Sequence, residues 1–244
     1  MTNIILVFML ILARVFAPGA NVDEMLEKAL TAELGEKVRK VSVETHINKG
    51  SLLTKGKIAS IDLTLSELWV KPVLIDEAYF NIKDIRLNTG SVLTGDTKKC
   101  VRSVGDIKFR FTFRPEDLAR ALELSSERIL EPRVRIEHST VIISGKYAFG
   151  FLRPSFEVEG YLTFEGGSRI YYRVGKVRLA GLGMPGRIEK LLEDEMNPLF
   201  DLDKFHKKRR EEFAENAKIV GRELRLRINH IIVHDDKVIA TGSI

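Results

Sequence analysis

Few residues in this chain have types and spacing that could carry chemistry, and each set fails on its context. Gly181, Gly183 and Gly186 spell G-x-G-x-x-G between a strand-like and a helix-like segment, where a dinucleotide-phosphate cradle would sit. Such a unit needs a parallel strand after its helix, and the segment that follows here, NPLFDLDKFHKKRR, does not supply one. Pro185 also removes a backbone N–H from the cradle, so the glycines describe a flexible strand-to-helix corner. His230 and His234 are four apart, a spacing that on a helix sets two imidazoles on one face as metal ligands. The residues between them, Ile231, Ile232 and Val233, are strand formers, and on a strand the two rings stand about 13 Å apart. His46, His138 and His206 have no Cys or carboxylate at ligand spacing. Cys100 is the only cysteine, which excludes an intrachain disulfide, a four-thiolate metal site and a C-x-x-C redox pair. No G-x-S-x-G elbow or paired-acid motif stands out. The expectation is a protein that is not an enzyme and uses no cofactor and no metal.

The elements that would position a site are mostly strands. An amphipathic helix is predicted at PGRIEKLLEDEMNPLF, where Ile188, Leu191, Leu192 and Met196 form one apolar stripe. Asn197 before Pro198 closes it, because the residue preceding a proline is pushed out of the helical region. A first helix starts at Asn21 with a capping-box Glu24, carries Met25, Leu26, Ala29 and Leu30 to Gly35, and is expected to pair with the later one. Alternation of Val41, Val43 and Thr45, then of Ile61, Leu63 and Leu65, predicts half-buried strands. Residues 73–87 keep Ala78, Phe80 and Ile82 on one face before slipping to Ile85 and Leu87, which predicts a bulge near Lys83 and Asp84. In GDIKFRFTF, Ile107, Phe109, Phe111 and Phe113 face one way and Lys108, Arg110 and Thr112 the other. Pro115 opens a short helix with Leu118, Ala121 and Leu122 inward. Strands follow at 134–136, 141–143, 156–164 and 170–179, with a hairpin across Gly166, Gly167 and Ser168, and a last hairpin turns at Asp235 and Asp236. Long strands, few helices and no β-α-β alternation predict an α+β protein, a long curved antiparallel sheet wrapped around one or two long amphipathic helices.

At 244 residues, 44% apolar and 30% charged, the composition is that of a globular protein with a sizeable core. The net charge of +5 favours anionic partners such as phospholipid headgroups, nucleic acid or polyanionic glycans. Residues 4–13, IILVFMLILA, match a signal-peptide core in length and are short for a bilayer crossing, so 1–20 is expected to be a signal peptide or N-terminal anchor. Lys207, Lys208, Arg209 and Arg210 cluster ahead of apolar residues at helical spacing, a pattern that suits an anionic membrane surface or a solvated face balanced by Glu211, Glu212 and Glu215. Tyr147, Phe149 and Phe151 around Gly150 form an aromatic tip that can dip into an interface or cover a sheet edge, with core packing the default.

The order of these elements carries a resemblance. An exported segment and helix, long strands, a strand leading into RPEDLARAL, further strands, an amphipathic helix running into Asn197-Pro198-Leu199-Phe200-Asp201-Leu202 and a hairpin ending Ile239-Ala240-Thr241-Gly242 resemble the LmeA-like family of bacterial extracytoplasmic phospholipid-binding proteins. The resemblance spans nearly the whole of 21–244, taken as one domain, and departs at 205–223, where a charged segment replaces a short link. It implies a tubular lipid-binding-like fold, an extracytoplasmic location and binding, with or without transfer, of phospholipid or another amphiphile in envelope maintenance. No nucleic-acid partner is expected. The groove is expected to be lined by Ile61, Leu63, Leu65, Phe109, Phe111 and Phe113 from the sheet, opposed by Ile188, Leu191, Leu192 and Met196, with 207–210 at the headgroups. The competing expectation is a cell-envelope scaffold with a closed core that binds a protein partner.

Overall fold

Period-two apolar patterning dominates the chain, and the computed structural model folds it into two antiparallel β-sheets, with three α-helices among the described residues. The structure describes residues 21–48, 55–88, 90, 101–179, 185–201 and 226–244, with 185–188 as backbone only. The first sheet contains β1 (Lys40–His46), β2 (Lys57–Val70), β3 (Val73–Leu87), β4 (Val101–Ser103), β5 (Ile107–Phe113), β11 (Arg227–His234) and β12 (Lys237–Ser243). Its order is β1-β2-β3-β5-β12-β11, with β4 on β3, and it curls into a half-barrel. The second contains β6 (Ile129–Glu137), β7 (Thr140–Tyr147), β8 (Ser155–Glu165), β9 (Arg169–Leu179) and β10 (Phe200–Asp201), in the order β10-β9-β8-β7-β6. The single curved sheet expected from the pattern is therefore two sheets. The chain leaves the first after β5 and returns to it only with the C-terminal hairpin.

The curl is written into the β2–β3 hairpin. Its ladder keeps one register from Lys57↔Arg86 to Val70↔Val73 but skips Ala59 opposite Asp84 and Glu67 opposite Asp76. At both places the buried positions jump by three in both strands, Ile58 to Ile61 and Leu65 to Leu68 in β2, Ile75 to Ala78 and Ile82 to Ile85 in β3. Because the two strands slip together, the apolar set stays on one face on either side of the kink. Glu67 and Asp84 hold left-handed backbone, each with φ 51°, a conformation that is uncommon for non-glycine residues. Each is ion-paired, Glu67 with Arg39 and Asp84 with Lys57 at 3.0 Å, and Asp76 pairs with Arg114. The phase slip read at Lys83 and Asp84 is one of this pair, but it is not the one-strand bulge expected there, because the β2–β3 register is the same on both sides of it.

Helices close edges and faces. α1 (Val22–Leu34) packs on the edge strand β1 and buries Leu26 and Leu30. Its acids do not form the expected capping box: Asn21 makes no side-chain cap, and Glu24 pairs with Lys28 at 2.7 Å. Asp23 and Glu27 instead reach the strand. Glu27 Oε1 accepts the Val43 N–H at 2.8 Å, and Asp23 Oδ1 accepts the Thr45 N–H at 3.1 Å and the Thr45 hydroxyl at 2.6 Å. Edge N–H groups that would otherwise invite another strand are thereby filled. α2 (Pro115–Ser125) has its proline in the first turn and packs on β6 and β3. α3 (Pro185–Met196) ends just before Asn197 and packs chiefly on β9.

Asn197 then behaves like a piece of strand. Its Oδ1 accepts the Tyr172 N–H at 2.7 Å, and its Nδ2 donates to the carbonyls of Tyr172 and Glu193, both at 2.8 Å. Tyr172 is itself buried across the second sheet, its hydroxyl facing the carbonyls of Val141 at 3.0 Å and Val158 at 2.9 Å. Burial pushes its phenol far above the ordinary range, so it stays a donor at any working pH. The ring lies over Gly160, where an added Cβ would collide with the Arg173 carbonyl oxygen and meet the ring at 2.7 Å. Tyr172→Phe should lower unfolding free energy by about 1–2 kcal/mol, the usual cost of leaving buried carbonyls without their donor. Gly160→Ala should cost more, because backbone must move, and urea unfolding of the two variants checks the order.

Candidate functional site

The apolar face of the curled sheet is assembled row by row across its strands. One row reads Val43, Leu63, Phe80, Phe109 and Gly242; the next reads Val41, Leu65, Ala78, Phe111 and Ala240. Small residues flank large ones so that the rings can lie down on the sheet. At Gly242 an added Cβ would run into both the Phe109 ring and the Arg227 carbonyl oxygen. Phe109 stacks on Phe111 with centroids 4.6 Å apart, and Phe80 meets Phe111 edge-on at 5.7 Å. Phe113 meets Phe200 of the second sheet at 5.5 Å, joining the two cores.

Sequence reasoning placed Ile61, Leu63, Leu65, Phe109, Phe111 and Phe113 on one face, and the structure brings all six together. They are at most 3% exposed and belong to one apolar cluster that spans both sheets. These side chains act as packed core. The helical residues are positioned differently from expectation. Leu192 and Met196 are buried and Leu191 partly so, but α3 seats them chiefly against β9 of the second sheet. The side chain of Ile188 lies outside the described residues, as do Lys207, Lys208, Arg209 and Arg210, the segment 205–223 and the N-terminal 1–20. The glycine corner at 181–184 is outside them too.

Polar chemistry gathers on the opposite face. Asp62, three-quarters or more shielded, accepts from Tyr79 Oη and from Asn81 Nδ2 at 2.7 Å on one oxygen, and faces His46 Nε2 at 3.0 Å on the other. Arg110 lies over the Tyr79 ring at 5.1 Å and pairs with Glu77 at 3.0 Å. Burial pushes the Asp62 carboxyl up, but the hydrogen bonds from Tyr79, Asn81 and His46 together outweigh it and hold the group below its ordinary value. Asp62 in turn raises the Tyr79 phenol. A His–Asp contact can serve as a general base when a nucleophile or substrate proton lies beyond the ring. Here the described partners of His46 are both carboxylates, Asp62 and Glu44 at 3.8 Å. The arrangement is that of a cross-strand polar ladder. Sequence reasoning missed it because its members come from four strands; the signal was the polar phase of β1, β2, β3 and β5, readable only once the register is known.

A shallow open depression of about 520 Å³ lies between α2 and β6. Glu116, Glu123, Arg120 and Arg133 line it with mixed charge, and Arg120 stacks over Trp69 at 4.9 Å. Alternating charge of this kind favours no single ligand sign. Among the described residues no cluster of His, Cys, Asp and Glu could hold a metal ion, and no helix is long and apolar enough to cross a membrane. No protein-family model matches this chain, and no curated protein or solved structure does so either.

Two outcomes follow from this geometry. Phe111→Asp should unfold the sheet rather than leave it intact, since an unpaired buried carboxylate costs several kcal/mol; circular dichroism and urea melts read this directly. Asp62→Asn should be less stable than the parent above about pH 4, where the depressed carboxyl contributes in full. Because the folded value lies below the unfolded one, that difference should shrink as pH falls through it, which a pH series of urea melts would record.

Proposed function

We propose that the chain is a non-enzymatic, extracytoplasmic protein that binds a phospholipid or related amphiphile and serves envelope maintenance, in the manner of a tubular lipid-binding module. The observation that carries the proposal is the breadth and chemical uniformity of the apolar face, continuous from Val41 on β1 to Ala240 on β12 with buried side chains in every strand between. Hydrocarbon is the ligand chemistry such a face recognises, at about 0.8 kcal/mol for each methylene buried. The apolar run at residues 4–13 supports export or anchoring at a membrane, and the net charge of +5 supports anionic headgroups over neutral ones. Because Ile61, Leu63, Leu65, Phe109, Phe111 and Phe113 are packed, acyl chains would enter by parting this cluster rather than by filling a standing groove.

That packing is also the specific observation favouring a second reading, a closed-core envelope scaffold that binds a protein partner through its surface. Titration with a phospholipid bearing a fluorescent acyl chain separates the two. The amphiphile reading expects saturable, stoichiometric uptake that unlabelled two-chain lipid competes away. A folded protein with no saturable uptake would overturn it in favour of the scaffold.

A further inference from the structure

The loop joining β7 to β8 presents the two most exposed large apolar side chains among the described residues, Phe151 and Phe149, with Leu152 beside them. Phe151 is 94% exposed, Phe149 59% and Leu152 41%, whereas Tyr147 at the base is buried. The loop is rigid by hydrogen bonding. Phe149 N–H donates to the Leu152 carbonyl at 2.9 Å and Leu152 N–H returns the bond at 3.0 Å, with Gly150 supplying the left-handed residue at φ 60°. Its base is tied twice more, Tyr147 N–H to the Pro154 carbonyl at 3.0 Å and Ala148 N–H to the Arg128 carbonyl at 2.8 Å. These four backbone bonds fix the main chain of the tip, so its exposed side chains project from the sheet end. The core-packing default from the sequence applies to Tyr147 alone.

Cations surround the wedge. Arg153 directly follows it and is exposed. Arg128, paired with Glu195 at 3.1 Å, stands at the same sheet end, as does Lys146, paired with Glu131 at 2.8 Å. Leu124, 57% exposed, closes α2 shortly before Ile129, whose ladder partner is Tyr147.

We infer that the Phe149–Leu152 turn, flanked by Arg153, Arg128 and Lys146, is a membrane-docking wedge that inserts its apolar side chains into the interface of an anionic bilayer. The protruding shape suits a deformable medium. Three side chains offer far less than the roughly 800 Å² per partner of a stable protein interface, while apolar side chains backed by cations match the acyl boundary and headgroup layer of a bilayer. The wedge stands independently of whether the core takes up an amphiphile.

The test is sedimentation of the full chain with vesicles of phosphatidylcholine and of a phosphatidylcholine–phosphatidylglycerol mixture. The parent should bind the mixed vesicles more strongly, and salt should weaken that preference. Phe149→Ser with Phe151→Ser should lower partitioning by at least about tenfold, and Arg153→Glu should weaken the preference for the anionic mixture. Circular dichroism of each variant should match the parent, because the substituted side chains are exposed. The Phe151→Trp variant should shift its emission to the blue on adding mixed vesicles, measured against the parent, whose only tryptophan is Trp69. A parent that ignores both vesicles, a double serine variant that binds undiminished, or a Phe151→Trp variant whose added emission is unmoved by bound vesicles would each overturn the inference. Uptake of fluorescent lipid in solution, measured on the same variants, is expected to be unchanged, so failure of the amphiphile reading and failure of the wedge show separately.

Discussion

Curling a long hairpin while keeping one face entirely apolar is the constraint on which the rest of the molecule depends. In a strand the side chains alternate, so a bend made by one extra residue in one strand turns everything beyond it inside out. The β2–β3 hairpin avoids this by slipping both strands at once, at Ala59/Asp84 and at Glu67/Asp76, so the register survives and Ile58, Leu63, Leu68 and their partners stay on one side. The left-handed residues at these kinks are acids held by Arg39 and Lys57. Exposed ion pairs contribute little to stability; their service here is to occupy strained positions with side chains that find partners locally.

Besides the apolar cluster the two sheets share, specific contacts among the described residues fasten the second sheet and α3 to that frame. Phe113 and Phe200 join the two cores by their rings. Asn197 carries the end of the helix onto β9 by imitating a strand residue, and Ser126 donates to Glu195 at 2.8 Å to fasten α2 to α3. At the far edge the Ile228 N–H donates to the Gly167 carbonyl at 2.6 Å, so the turn of β8–β9 covers part of β11. Both ends of the first sheet are therefore shielded, one by carboxylates from α1 and the other by the second sheet.

Much of this was legible locally. The alternation of Phe109, Phe111 and Phe113, the slip at Lys83 and Asp84, the helix stop at Asn197 and the turn at Asp235 and Asp236 are all short-range signals, and each appears where the pattern placed it. What the pattern could not carry is pairing between distant segments. Nothing within β9 states that it faces Asn197, and nothing within β5 states that β12 lies beside it rather than β6, so two sheets looked like one. The capping box failed for a similar reason, since Glu24 found Lys28 while Asp23 and Glu27 were taken by β1. Burial was equally out of reach, because an apolar strand face has the same sequence whether protein or ligand covers it.

Function hinges on that last ambiguity, namely whether the curled face admits any hydrocarbon besides its own. The most direct measurement is the lipid content of the full-length protein purified without detergent, by organic extraction and mass spectrometry after gel filtration. An amphiphile-binding protein should retain a two-chain lipid in amounts comparable to the chain itself, and regain it after delipidation and exposure to vesicles. A folded protein that emerges lipid-free and stays so after that exposure would contradict the account.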